Sequence, residues 1–148
     1  MATDRTATAQ WAGDLLNGRG TVQLETSKAA GPLEVSWPAR TEDGPGSKTS
    51  PEELIAAAHA ACFSMALSNV LNKAGNPPDR LETSATVTFT TDGGAHIEGV
   101  RLRVHGVVPG ASAQDFSEAA ETAKDNCPVS KALAGNVEIT VEASLTDV

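Results

Sequence analysis

Residues 50–71 constrain this chain more than any other stretch. Ser50 suits a helix N-cap, Pro51 suits the first helical position, and Glu53 completes a capping box with Ser50. Glu52 and Glu53 fall in the first turn, where the helix dipole favours negative charge. No breaker interrupts residues 54–71, and Leu54, Ile55, Ala56, Ala57, Ala58, Ala60, Ala61, Phe63, Met65, Ala66 and Leu67 point in nearly every direction around the axis. A helix that is apolar all round is a buried one. No apolar run reaches the ~20 residues needed to cross a bilayer, and this one is rich in alanine. It is expected to run through the middle of the structure.

The rest of the chain reads as strands and one further helix. Residues 6–11, 20–26 and 32–37 are β-prone stretches separated by Gly, Asn and Ser. Residues 40–50 have the composition of an exposed loop, with a turn at Asp43-Gly44-Pro45-Gly46. After Gly75-Asn76-Pro77-Pro78, residues 81–91 and 95–108 alternate about a Gly-Gly turn and predict a long hairpin. Residues 112–126 predict an amphipathic helix with Phe116, Ala119, Ala120 and Ala123 on its apolar face. A short helical turn at 128–133 and a strand at 136–145 close the chain. The order β-β-β-α-β-β-α-β is an α+β pattern with a mostly antiparallel sheet. At 148 residues it fits one domain, 1–148.

Charge and composition narrow the function. A net charge of −8 argues against nucleic acid, which requires a basic footprint, and gives no support for an anionic membrane surface. The first residues lack the basic-then-apolar profile of a signal peptide, so the chain is expected in the cytoplasm, where structural disulfides are rare. Aromatics make up 3% of the sequence, so small side chains must do the packing and each buries little area. Burying more surface in an oligomer would compensate.

Two cysteines in such a chain raise a chemical question. Cys62 shares a helical face with Leu54, Ile55, Ala58, His59, Met65 and Ala66. It either packs there as a small hydrophobe or reacts. Burial would raise its pKa and the helix dipole gives little help three turns in, so reactivity needs a cation from elsewhere, preferably Arg. Six arginines are available, and spacing does not choose among them. Cys127 precedes Pro128-Val129-Ser130-Lys131, at the junction of two helical segments, and is expected to be the more accessible thiol. His59 and Cys62 share a face, but there is no second close ligand pair, so no metal site is expected. His59 reads as a hydrogen-bonded histidine within the helix packing, and no cofactor motif is present.

The run Ser50-Pro51-Glu52-Glu53-Leu54-Ile55-Ala56-Ala57-Ala58-His59-Ala60-Ala61-Cys62-Phe63-Ser64-Met65-Ala66-Leu67-Ser68, together with Cys127-Pro128-Val129-Ser130-Lys131, closely resembles the OsmC branch of the OsmC/Ohr family of osmotically inducible and organic-hydroperoxide-resistance proteins. Trp11, Gly18-Arg19-Gly20-Thr21 and Pro109-Gly110 with Phe116 agree more weakly. The resemblance implies an OsmC-like fold with a long buried central helix, assembled as an intertwined homodimer. It implies a peroxidase in which Cys62 attacks a hydroperoxide and forms a sulfenic acid. Cys127 then closes a disulfide that an external dithiol (a lipoylated protein, thioredoxin or a small thiol) reduces. The family's activating arginine matches Arg40 and its acidic partner matches Glu52. The chain departs from the family at Thr41, where an aromatic residue usually follows the arginine.

Glu52 and Cys62 are ten positions apart on one helix, roughly 15 Å of rise, too far to meet through one arginine of the same chain. Two antiparallel copies of the helix would bring Arg40 and Glu52 of one subunit to Cys62 of the other. An apolar-ligand binding protein with incidental thiols and a thiol redox sensor are the alternative functions.

Overall fold

The computed structural model describes residues 1–42 and 46–146; the centre of the expected turn, residues 43–45, lies outside them. The chain divides into two compact units, Met1–Leu54 and Ile55–Val148.

In the first unit, β1 (Ala7–Ala12), β2 (Arg19–Leu24) and β3 (Leu33–Val35) form an antiparallel sheet in that order. The third strand was expected to reach residue 37, and Arg40 to lie on a loop. Instead the chain turns into a short helix, α1 (Trp37–Thr41), because Ser36 caps it: the Ser36 hydroxyl accepts from the Ala39 N–H at 3.2 Å, and Pro38 presets the first turn. Thr49 then bridges to Val35, its N–H donating to the Glu34 carbonyl at 2.8 Å, and α2 (Pro51–Lys73) begins. Ser50 caps α2 by accepting from the Glu53 N–H at 3.1 Å. The reciprocal half of the capping box is replaced, since the Glu53 carboxylate takes the Thr49 hydroxyl at 2.6 Å. Among the described residues of this unit only Gly20 and Glu52 are buried, and all six residues of β1 are exposed. Among the described residues this sheet has no hydrophobic core of its own.

The second unit holds the core. β4 (Arg80–Thr90) and β5 (His96–Val107) form the expected hairpin, with a bulge at Thr88/Phe89. α3 (Ala113–Asn126) and α4 (Pro128–Leu133) then carry the chain back to β6 (Glu138–Leu145), which lies parallel to β5. A crossover through helices returns the strand in its original direction, which makes this pairing parallel. Among the described residues, three of the four strand pairings are antiparallel. β5 is the central strand of its sheet and points Val100, Leu102 and Val104 inward. The α3 face that meets them consists of Phe116, Ala119, Ala120 and Ala123, all buried.

The long helix departs from expectation. Its buried residues in the second unit, His59, Phe63, Leu67 and Leu71, recur every four positions and form one stripe. Ala57, Ala58, Ala61 and Met65 are exposed, Met65 at 73%. Composition alone overstates its burial, because a single chain covers only one side of it. At 23 residues, with a mean hydropathy of 1.7 over its most apolar window, it also reaches the range of a membrane span, so shortness is not what sets it apart. What sets it apart is that Phe63, Leu67 and Leu71 of its stripe pack into the core. Ser64 adds a polar tie, with its hydroxyl 2.7 Å from Thr83 Oγ1 of β4.

Gly106 on β5 faces the Phe116 ring, where an added Cβ would sit 2.7 Å from the nearest ring atom and 3.2 Å from Leu81. Phe116 is fully buried and has no room to withdraw. Gly106→Ala is expected to cost about 1–3 kcal/mol by overpacking, read as a lower denaturant midpoint with an unchanged slope.

Candidate functional site

The two thiols meet at the seam between α2 and α4. Cys127 both ends α3 and begins α4, and no side-chain bond caps α4 at that position. Both cysteines are free. The Cys127 thiol and the Val129 N–H in the first turn of α4 are both near enough to act on the Cys62 thiol. Burial pushes the Cys62 thiol above its ordinary pKa of 9.0, the Val129 N–H offsets part of the rise, and the neighbouring Cys127 adds to it.

Their exposures are the reverse of those expected. Cys127 is fully buried, packed with Ala119, Ala120 and Ala123, while Cys62 is half-buried on the flank of the α2 stripe. A helix junction reads as mobile in sequence, but Pro128 at once restarts a helix and folds the cysteine inward.

One turn from this pair, His59 Nε2 lies 2.7 Å from Ser130 Oγ. Both residues are buried, and His59 Nδ1 has no hydrogen-bond partner. Burial pushes the imidazolium below its ordinary 6.5. His59 is therefore neutral at pH 7 and supplies no cation to Cys62.

The second constellation lies in the first unit. Arg40, in the last turn of α1, donates to Glu52 Oε1 from Nε at 2.9 Å and from Nη2 at 2.8 Å. Its guanidinium also lies 5.8 Å from the centre of the Trp37 ring. Glu52 is buried, and its Oε2 has no hydrogen-bond partner. Two-point contact with the carboxylate and one aromatic face fix the guanidinium's orientation. The structure thus joins Arg40 with Glu52 and Cys62 with Cys127, as pairs. Sequence reasoning missed the Trp37 contact, whose only signal is the Ser36-x-Pro38 cap that makes Trp37 and Arg40 neighbours on a helix. It also missed the Val129 N–H, which depends on a tertiary approach.

A hollow of about 590 Å³ on the sheet β4–β5–β6 is lined by Glu82, Arg103, His105 and Glu142 and contains neither thiol. Among the described residues, no three His, Cys, Asp or Glu side chains are grouped to hold a metal ion.

The family model for OsmC-like proteins matches residues 44–142. The chain belongs to the OsmC family. It is 40% identical to peroxiredoxin OsmC of Escherichia coli, over 98% of this chain and 99% of that one. It is 37% identical to the organic hydroperoxide resistance protein OhrA of Bacillus subtilis, over 65% of this chain and 67% of that one. The crystal structure of OhrB from the same organism superposes with a TM-score of 0.70 at 29% identity, covering 93% and 97% of the two chains. This OsmC-family protein is an enzyme of the peroxidase type.

The buried His59 gives this OsmC-family protein a pH signature. The unfolded chain takes up a proton near 6.5 and the folded one resists it, so the stability His59 contributes is complete above pH 6.5 and declines as the pH falls below that value. Asp14, held down by the Asn17 N–H, Glu25 by Lys28 and Asp115 by the Ser112 hydroxyl, titrate below their ordinary 3.8–4.5 and leave this window clear. Denaturant midpoints measured from pH 7.5 to 5 are expected to fall in the parent protein and to stay flatter in His59→Gln.

Proposed function

We propose that the protein is a thiol-dependent peroxidase that reduces organic hydroperoxides, and hydrogen peroxide more weakly, to alcohols and water. The observation that carries this reading is the juxtaposition of two free thiols, Cys62 and Cys127, in a chain 40% identical to a peroxiredoxin over nearly its whole length. The Cys62 thiolate attacks the distal oxygen of the hydroperoxide. The O–O bond breaks, the alkoxide takes up a proton and leaves as the alcohol, and Cys62 becomes a sulfenic acid. The Cys127 thiolate then attacks the sulfenic sulfur, hydroxide leaves as water, and a disulfide joins the two residues. An external dithiol (a lipoylated protein, thioredoxin or a small thiol) returns both to thiols by exchange.

Arg40 stabilises the Cys62 thiolate and orients the peroxide, and Glu52 holds the guanidinium in place. The working unit is a homodimer in the cytoplasm, each chain contributing one functional domain, 1–148. Three features support the dimer: the exposed apolar face of α2, the absence of a hydrophobic core around β1–β3, and the roughly 15 Å of helix between Glu52 and Cys62. Antiparallel packing of two α2 helices covers the first and brings Arg40 of one chain to Cys62 of the other.

Cys62→Ser is expected to abolish turnover of cumene hydroperoxide with a dithiol, while binding of an apolar ligand without turnover in the parent protein favours the binding-protein reading. Arg40→Met is expected to lower kcat/KM by about 10–100-fold. Loss of a nearby cation raises a pKa by about 1–3 units, and the greater nucleophilicity of the more basic thiolate recovers part of the loss. Intact mass after one equivalent of hydroperoxide tests the cycle. A loss of two hydrogens mapped to Cys62 and Cys127 is predicted; a lasting sulfenic or sulfinic acid on Cys62 beside a free Cys127 thiol contradicts it.

A further inference from the structure

The hydrogen bond between His59 and Ser130 occupies a particular place relative to the thiols. His59 precedes Cys62 by three positions on α2, so the two share a face. Ser130 follows Cys127 by three positions, one turn into α4. One polar contact therefore lies a turn away from the thiol pair on both helices at once, and it joins residues 71 positions apart in sequence. α4 is only six residues long, with backbone bonds from Lys131 N–H to the Cys127 carbonyl at 2.9 Å and from Ala134 N–H to the Ser130 carbonyl at 2.8 Å. It moves as a single turn, so whatever fixes Ser130 also fixes Cys127 and the Val129 N–H. His59 and Ser130 are 0% and 3% exposed. Breaking their bond leaves a buried polar group unsatisfied, which costs more than an exposed hydrogen bond is worth.

We propose that the His59–Ser130 hydrogen bond is a latch that positions Cys127 for disulfide closure, making His59 and Ser130 positioning residues chiefly for the second chemical step. The inference rests on the peroxidase cycle proposed above. Closure requires the two neighbouring sulfurs to approach to about 2.05 Å with a defined dihedral angle. A turn of α4 that drifts from α2 removes Cys127 from reach and leaves the Cys62 sulfenic acid open to a second peroxide, which carries it to the sulfinic acid. Being neutral, His59 acts by holding position and not by charge. Attack on the first peroxide uses Cys62 and its cation and depends on α4 only through the Val129 N–H, so drift of α4 harms it less than closure, which loses its nucleophile.

The test uses the full chain and four proteins: parent, Ser130→Ala, His59→Asn and His59→Gln. A Gln amide nitrogen reaches the place of Nε2 and can remake the bond, whereas Asn reaches only the place of Nδ1. Rapid mixing with cumene hydroperoxide separates sulfenic acid formation from closure. With the folded state checked by circular dichroism, Ser130→Ala and His59→Asn are expected to slow closure about tenfold, the scale of one buried hydrogen bond. Formation slows less than closure, sulfinic acid accumulates, and His59→Gln restores closure. The Cys62–Cys127 disulfide is also titrated in dithiothreitol buffers without any peroxide, and the same two variants are expected to shift that equilibrium towards the dithiol by a similar factor. A shifted equilibrium in a protein that turns over no hydroperoxide keeps the latch and removes the peroxidase reading. Unchanged closure and equilibrium, or equal loss of both steps that Gln does not rescue, overturns the latch.

Discussion

A thiol set among apolar side chains resists ionisation, and that constraint governs this protein's chemistry. The α2 stripe must be buried for the second unit to have a core, and Cys62 lies on its flank. Burial lifts the Cys62 pKa, and the one donor the neighbouring turn supplies, the Val129 N–H, offsets only part of the cost. His59, a turn away, is held neutral by the same burial. The charged residues of α2 itself are Glu52, Glu53 and Lys73, all at its ends. A thiolate at Cys62 therefore depends on a cation brought by another element, and arginine suits the task because it stays charged when desolvated. In the proposed site that cation is Arg40, whose guanidinium is held by two nitrogens on Glu52 Oε1 with Trp37 alongside.

A second imbalance points the same way. The first unit pairs its strands fully yet buries no hydrophobic side chain among its described residues, and a small sheet in that condition is at best marginal in water. α2 meanwhile leaves Ala57, Ala58, Ala61 and Met65 uncovered. In the proposed homodimer the requirement for apolar cover and the requirement for a cation at Cys62 have one solution. Assembly and catalysis would then stand or fall together.

What was legible in the sequence was local. The buried face of α3 could be named residue by residue because its 3.6-residue period is strong, and the β4–β5 hairpin followed from alternation about Gly93-Gly94. α1 escaped because five residues are too few to show a period and its cap, Ser36 with Pro38, looks like a strand end. The parallel placement of β6 depends on a crossover, which local pattern does not encode. The contrast between Cys62 and Cys127 came out reversed for a related reason: exposure is set by what packs against a residue, and Pro128 turns Cys127 into the core. The pairing of Arg40 with Glu52 became legible through family resemblance alone, since neither residue type nor spacing distinguishes it from ordinary surface charge. The His59–Ser130 bond spans 71 positions and had no signal beyond a polar residue on an apolar face.

Subunit complementation tests the central claim, a thiolate activated across a dimer interface, most directly. Cys62→Ser chains lack the nucleophile and Arg40→Met chains lack the cation, so each homodimer is crippled at every site. If Arg40 of one chain serves Cys62 of the other, a mixed dimer contains one site with both residues intact. Unfolding and refolding the two variants together is predicted to give hydroperoxide turnover well above the sum of the separate proteins. Turnover equal to that sum, from samples shown to contain mixed dimers, would contradict the account.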